Sequence, residues 1–174
     1  ITSWNNAATV SVTNPNNAED TKDHTAQYGI GTLGFNFDGN LHWSGFNLHL
    51  MFTFQDPKYK NYDNVFVFDD GSSATVSYTG NYVTGISRVM LEIDPSYSYK
   101  AWRVWMSARY FSRQYASRTN LAYFKGRWET FGGIDYKITS DLKLSLNVVN
   151  WLFQRGPKGS IDVADTITDA SELN

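Results

Sequence analysis

The feature that most constrains this chain is a period-two alternation of apolar and polar side chains. It recurs in six segments of 11 to 14 residues. In AWRVWMSARYF (101–111), for example, Trp102, Val104 and Met106 alternate with Arg103 and Arg109. This spacing is typical of β-strands whose two faces meet different environments. The sequence therefore predicts an all-β, antiparallel fold with strands at 27–37, 41–54, 87–99, 101–112, 127–138 and 141–152.

The connections between these segments alternate between short and long. Asp38-Gly39-Asn40, Lys100 and Thr139-Ser140 predict tight turns. Long connections are predicted at 55–86, 113–126 and 153–174, and residues 1–26 are read as the end of another. All short turns should then lie at one end of an up-and-down sheet. Pro95 has no N–H to donate, so a bulge or local break is expected there.

Composition narrows the classes of protein. The 174 residues are enough for one domain, and the net charge of −2 implies no polyanionic partner. The chain contains no cysteine, which excludes disulfides and thiol catalysis. No run of about 18 apolar residues predicts a membrane helix. A mean hydropathy of −0.42 fits a soluble protein, but it also fits a membrane barrel, in which only alternate residues face lipid.

Two interpretations of the alternation remain: a soluble sandwich with its apolar side inward, or a membrane barrel with that side facing lipid. The aromatic residues favour the barrel, because they lie at the two ends of the apolar phase, with aliphatic residues between them. Such belts are typical of the two membrane interfaces. The belt residues are Phe37, Tyr97, Tyr99, Trp102 and Tyr136 at the short turns, and Phe52, Phe54, Tyr110 and Trp128 at the long loops.

The opposite phase carries charges that would face a wet lumen. They are Arg103, Arg109, Arg127, Glu129 and Asp135, together with Glu92, Asp94 and Lys137. Paired carboxylates can indicate a glycosidase. Neutralisation between neighbouring strands is the favoured reading, so we expect no catalytic residues and no enzyme activity.

Candidate solute contacts are aromatic. Tyr59, Tyr62, Tyr78 and Tyr82 lie in the longest predicted loop, where their rings could stack on sugars or simply pack the loop. Trp105 and Trp151 fall in the lumen phase, where each would contact a plug or a substrate.

We expect no cofactor and no metal site. His42 and His49 are predicted on opposite faces of one strand, and His24 lies far from both in sequence. The loop carboxylates Asp56, Asp63, Asp69 and Asp70 could bind Ca²⁺, although a solvated loop is the simpler reading.

Several stretches resemble the C-terminal part of the barrel of TonB-dependent outer-membrane receptors, closest to the SusC-like kind of Bacteroidetes. They are GISRVMLEIDPSYSY (85–99), WRVWMSARYFSRQYASRTNLAYFKGRWETFGGIDYKI (102–138), LSLNVVNWLFQRGPKGSI (144–161) and DPKYKNYD (56–63). The resemblance implies that residues 1–174 are a segment of a 22-strand transmembrane barrel without its plug.

The resemblance also implies a location and partners. The parent receptor would lie in the bacterial outer membrane, import nutrients such as glycans or peptides, and draw energy from the TonB complex. A SusD-like surface lipoprotein would be a further partner. Because a lipid-facing sheet must close on itself, six strands are expected to need the remaining barrel strands. The competing class is a soluble all-β ligand-binding domain of the carbohydrate-binding kind.

Overall fold

The chain is all-β in a computed structural model that describes residues 4–154 and 171–173. The described residues contain no helix that is long and apolar enough to cross a membrane. The strands are β1 (Trp4–Asn14), β2 (Asn17–Trp43), β3 (Phe46–Lys60), β4 (Asp63–Val67), β5 (Ser73–Ser77), β6 (Val89–Tyr99), β7 (Trp102–Phe111), β8 (Gln114–Tyr115), β9 (Ala122–Phe124), β10 (Arg127–Lys137), β11 (Lys143–Val149) and β12 (Ser171–Leu173).

Seven strands form one curled antiparallel sheet in the order β1-β2-β3-β6-β7-β10-β11. Strands that are neighbours in this sheet also follow one another along the chain, once the small strands of the loops (β4, β5, β8 and β9) are left out. The sheet is therefore an up-and-down meander, as the alternation predicted. The predicted six strands become seven because β1 was not anticipated. The predicted connection 55–86 starts too early, because β3 continues to Lys60. The rest of it contains the β4-β5 hairpin, and the predicted connection 113–126 contains the short strands β8 and β9.

The first predicted turn is wrong. Asp38-Gly39-Asn40 lies inside β2, where Gly39 pairs with Leu50. The chain instead reverses at Ser44-Gly45, whose φ angles of 46° and 84° are the left-handed pair that a two-residue hairpin turn requires. Gly39 is tolerated mid-strand because the ring of Phe37 lies over it on the same face.

Residues 1–26 were predicted to be a connection, and this is also wrong. β1 and the first half of β2 form a hairpin that runs from the pair Trp4 and Ile30 to the pair Asn14 and Asn17. The second half of β2 pairs with β3 from Gly29 to Trp43. The 27-residue β2 therefore extends well beyond the end of the sheet formed by β6, β7, β10 and β11.

This extension and the β4-β5 hairpin enclose a small hydrophobic core. We call this region the cap: β1, residues 17–30, and the segment from Tyr59 to residue 87. Its buried residues are Val10, Val12, Ala26, Tyr59, Tyr62, Phe68 and Val83. Tyr28, which is partly buried, stacks on Tyr62 with ring centroids 4.6 Å apart, and Tyr59 packs edge-on against Tyr62 at 5.3 Å.

Below the cap, the sheet has an apolar face and a polar face. On the apolar face the large side chains stay exposed, with Leu33 at 73% and Leu144 at 64%. No layer of the described chain covers this face. The β6-β7 ladder is interrupted at Asp94 and Pro95 without a change of register, which confirms the local break expected at the proline.

Candidate functional site

Aromatic side chains collect at both ends of the apolar face. At the short turns, Trp102 packs on Tyr136 with centroids 4.4 Å apart, and Tyr99 pairs with Trp102. At the loop end, Tyr110 packs on Trp128 at 5.1 Å. Tyr97 pairs with Phe46 near the short turns. The six predicted belt residues Tyr97, Tyr99, Trp102, Tyr110, Trp128 and Tyr136 therefore share one face, at the expected heights.

Phe37 was assigned to the wrong belt. Because the hairpin turns at Ser44-Gly45, Phe37 pairs with Phe52 and lies six residues above Trp43. It belongs with Phe35, Phe52 and Phe54 at the loop end. Trp43, paired with Phe46, takes its place at the short turns.

The predicted lumen charges all lie on the polar face. The Arg109–Glu92 and Ser145–Asp135 contacts join neighbouring strands, whereas Arg127 and Glu129 lie two residues apart on β10. Arg109 donates to Glu92 Oε1 at 3.0 Å, and Arg127 lies 3.3 Å from Glu129. Asp135 accepts from Ser145 at 2.7 Å and stands opposite Arg103 in the register. These contacts support the expected neutralisation between neighbouring strands.

The polar face also holds a cluster around His49. Its Nδ1 lies 3.0 Å from Asp94 Oδ2, and its Nε2 lies 3.2 Å from Asp38 Oδ1. Side-chain ligand atoms of His49, Glu92 and Asp94 all lie within 4.8 Å of one another. A cavity of about 240 Å³ opens beside the cluster, lined by Trp105, Ser107 and Arg109 among others.

The sequence analysis missed this cluster because it placed His42 and His49 on opposite faces of one strand. In the structure the two histidines lie on neighbouring strands and on the same face, since His42 pairs with Asn47 and His49 with Asn40. The signal that could have found the cluster is the apolar phase. It is odd through Leu41 and Trp43 and even from Phe46 onward, which locates a two-residue turn between them.

The four candidate tyrosines have different surroundings. Tyr62 is 0% and Tyr59 3% exposed, so both belong to the cap core, and the expectation that they contact a solute is corrected. Burial raises the pKa of Tyr62 to about 12. Tyr78 is partly buried and packs edge-on against Tyr62, with centroids 5.1 Å apart.

Tyr82 stays a candidate contact. Its ring stacks on Tyr115 with centroids 5.5 Å apart and planes 1° from parallel. Arg88 covers the ring, its guanidinium carbon 4.4 Å from the centroid. Arg113 lies 5.0 Å from the ring of Tyr123, which packs edge-on against Tyr115. The packed rings of Tyr82, Tyr115 and Tyr123 thus join the two long loops, with an arginine packed on the ring at each end of the row.

The two candidate tryptophans lie on opposite sides of the sheet. Trp105 lines the polar-face cavity, and its indole nitrogen is 2.8 Å from the point where a Cβ on Gly133 would lie. Trp151 approaches Gly132, on the apolar side, and donates from its indole nitrogen to the Phe131 carbonyl at 3.1 Å. The prediction of a lumen position for Trp151 is wrong, because Asn150 adopts φ 55° and ends the alternation.

Comparison with known proteins identifies no relative. No family model, no curated protein and no solved structure matches this chain. The class that the coordinates define is an all-β protein built on a curled antiparallel sheet.

Proposed function

We propose that the chain forms wall, lumen lining and extracellular loops of a TonB-dependent transporter in the bacterial outer membrane. The observation that carries this proposal is the uncovered apolar face. Side chains such as Leu33, Leu144 and Leu146 project from a sheet whose other face is polar. Soluble monomers rarely expose contiguous apolar patches larger than a few hundred Å². Lipid is the environment in which such a face is stable.

The spacing of the aromatic belts supports the same environment. Trp102 and Tyr110 lie eight residues apart on β7, roughly 26 Å along a strand that rises about 3.3 Å per residue, or roughly 20 Å of height at the usual tilt of about 40°. The apolar band of outer-membrane barrels is about 25 Å tall and is bordered by aromatic residues on both sides. The short turns would face the periplasm, and the cap and long loops would face outward.

The open edges of the sheet fit a larger assembly. Below the cap the outer strands are β11 and the second half of β2, because β1 pairs with β2 only as far as Ile30, and open backbone edges do not occur within lipid. The proposed parent receptor supplies the neighbouring strands and the plug. Nutrient import, energisation by the TonB complex and a SusD-like lipoprotein partner rest on the sequence resemblance alone.

The lipid-facing assignment can be tested with site-specific fluorescence. This chain has no cysteine, so an introduced cysteine is unique once any cysteine elsewhere in the parent receptor has been replaced. An environment-sensitive probe is attached to Leu146→Cys and, in a matched variant, to the neighbouring Asn147→Cys, which lies on the polar face of β11. Both proteins, within the parent receptor, are reconstituted in lipid vesicles that carry quenchers on their acyl chains.

The probe at position 146 should be quenched by the acyl-chain quenchers, and the probe at 147 by an aqueous quencher. If the protein stays monodisperse without detergent and the lipid quencher reaches neither probe, the competing soluble ligand-binding domain is correct. Import is tested separately by uptake of labelled oligosaccharides and peptides, with and without a working TonB complex. Equal uptake with and without a working TonB complex would contradict the transporter assignment.

A further inference from the structure

The ladder break at Pro95 opens the sheet at a defined point. β6 pairs with β7 through Ile93, opposite Ala108, and again from Ser96, opposite Trp105. Because the register is the same on both sides of the gap, Asp94 stands opposite Ser107 without a bulge. The missing N–H of proline accounts for the lost pairing. The cavity of about 240 Å³ lies against this gap, on the polar face.

Ser107 Oγ and Asp94 Oδ1 are buried at the break and neither makes a hydrogen bond of full geometry, although the Ser107 hydroxyl lies within reach of the Asp94 carboxylate opposite it. Ser107 is only 8% exposed and lines the cavity. A buried polar atom left unsatisfied costs about 1–3 kcal/mol, so most such atoms in proteins are satisfied by protein, water or an ion. The incompletely bonded oxygens, the cavity and the converging side chains of His49, Glu92 and Asp94 together favour a polar or charged ligand here.

The surrounding groups define the chemistry of that ligand. His49, Glu92 and Asp94 converge within 4.8 Å and offer one imidazole nitrogen and two carboxylates. The 3.0 Å between His49 Nδ1 and Asp94 Oδ2 is close to the roughly 3 Å that separates neighbouring ligands around a metal at about 2.1 Å. Asp38 contacts the other ring nitrogen of His49 and would orient the imidazole, as second-shell carboxylates commonly do for metal-bound histidines.

We propose that His49, Glu92 and Asp94 bind a divalent transition-metal cation at the Pro95 gap. Imidazole together with carboxylate suits Zn²⁺, Mn²⁺ or Co²⁺, whereas Ca²⁺ and Mg²⁺ take oxygen ligands alone. Asp94 would bind the cation through Oδ2, which lies 3.0 Å from His49 Nδ1, and a metal-bound water would donate to Ser107. Arg109 holds one oxygen of Glu92 at 3.0 Å and leaves its second oxygen for the metal. The site lies on the polar face, so the proposal does not depend on what covers the apolar face.

Binding is measured on the full chain in a mild detergent, without an affinity tag. Zn²⁺ is titrated by calorimetry, and Co²⁺ by its visible absorption, which reports nitrogen and oxygen coordination. The variants are His49→Gln and Asp94→Asn. The matched control is His42→Gln, a histidine on the same face of the neighbouring strand. Circular dichroism of each variant confirms that the sheet is retained.

The wild-type chain and His42→Gln should bind one equivalent of metal, and each ligand variant should lose affinity about tenfold or more. Co²⁺ should also quench Trp105, which lines the cavity, and Trp105→Phe should remove that part of the quenching while leaving Zn²⁺ affinity near the wild-type value. Equal affinities in all variants, or an equal loss in His42→Gln, would overturn the proposal. Ca²⁺ binding as tight as Zn²⁺ binding would also contradict it.

Discussion

The cap and the sheet below it are both built from antiparallel strands, but the cap buries its apolar side chains and the sheet below exposes them. In the cap, apolar side chains such as Val10 and Tyr62 are buried by the molecule's own hairpins. In the sheet below, Leu33, Leu144 and their neighbours remain uncovered. One region therefore has the core of a water-soluble domain, and the other has an apolar exterior.

β2 joins the two regions and changes its apolar phase between them. In the cap, the inward residues are the even-numbered Ala26, Tyr28 and Ile30. From Leu33 onward, the apolar residues are odd-numbered. The strand remains in register through this change, so the cap core lies on the continuation of the polar face. A single strand can therefore have its apolar side chains on one face in the cap and on the opposite face below it, depending on what surrounds each half.

The largest expected effect is in the cap. Tyr62→Ala removes a fully buried ring, and such a truncation costs about 3–5 kcal/mol. Hydrogen exchange should show lost protection in β1, β4 and β5 while β7 and β10 keep theirs. Equal loss in both groups of strands would show that the two regions do not unfold separately.

The second effect tests the exterior of the sheet with a matched pair. Val148→Arg places a charge on the apolar face opposite Gly132, midway between the belts, whereas Val149→Arg places it on the polar face. In a bilayer the first should cost about 2–4 kcal/mol and the second close to none. Reversible unfolding in vesicles measures both. Equal costs would contradict a lipid-facing role for this side.

A smaller effect concerns the Tyr62 hydroxyl, which is buried without a hydrogen-bond partner. Tyr62→Phe should leave the stability of the cap unchanged or raise it by about 1 kcal/mol, because the unsatisfied group is removed while the ring remains. The measurement is the free energy of unfolding at pH 7. A clear loss of stability would show that the hydroxyl is satisfied in solution.

The same variant has a pH signature. Burial raises the pKa of Tyr62 to about 12 in the folded chain, against about 10 when unfolded. Between these values the unfolded state loses this proton first, so stability falls as pH rises. Tyr62→Phe should weaken that fall. An identical alkaline profile in both proteins would contradict the burial of this hydroxyl.

The smallest effect is at the tip of the cap. Hydrogen bonds from Ser72 and Asn14 hold the pKa of Asp70 below its usual range. A lowered folded pKa stabilises the folded state above about pH 4, and this contribution is lost as pH falls below that value. Asp70→Asn should reduce the acid sensitivity of exchange at the Ser72 amide. An unchanged acid profile would show that these bonds do not persist in solution.

The sequence was sufficient for β6, β7 and β10, because alternation there is strict and each strand has one apolar face. Trp102, Val104 and Met106 could be assigned to a face from their spacing alone. It was not sufficient for the cap, where β1 and residues 17–30 are mostly polar. There, a few residues such as Val12 and Ala26 become a core only when the β4-β5 hairpin packs on them.

The His49 cluster was missed because one turn was placed six residues too early in the sequence analysis, although the apolar phase marked its true position. Asp38-Gly39-Asn40 has the composition of a tight turn, but the continued odd phase of Leu41 and Trp43 keeps the strand running to Ser44. Moving the turn brings His49 beside Asp38 and Asp94. Local turn preference and longer-range pattern disagreed, and the pattern prevailed.

The continuity of β2 has a mechanical consequence. All 15 residues of β3 pair with β2, and the same β2 backbone continues into the cap. A pull on the cap along the strand axis would therefore load this ladder in shear, with the force shared among many hydrogen bonds. A displacement at the outer end would be transmitted along a stiff element toward the Ser44-Gly45 turn at the opposite end of the sheet.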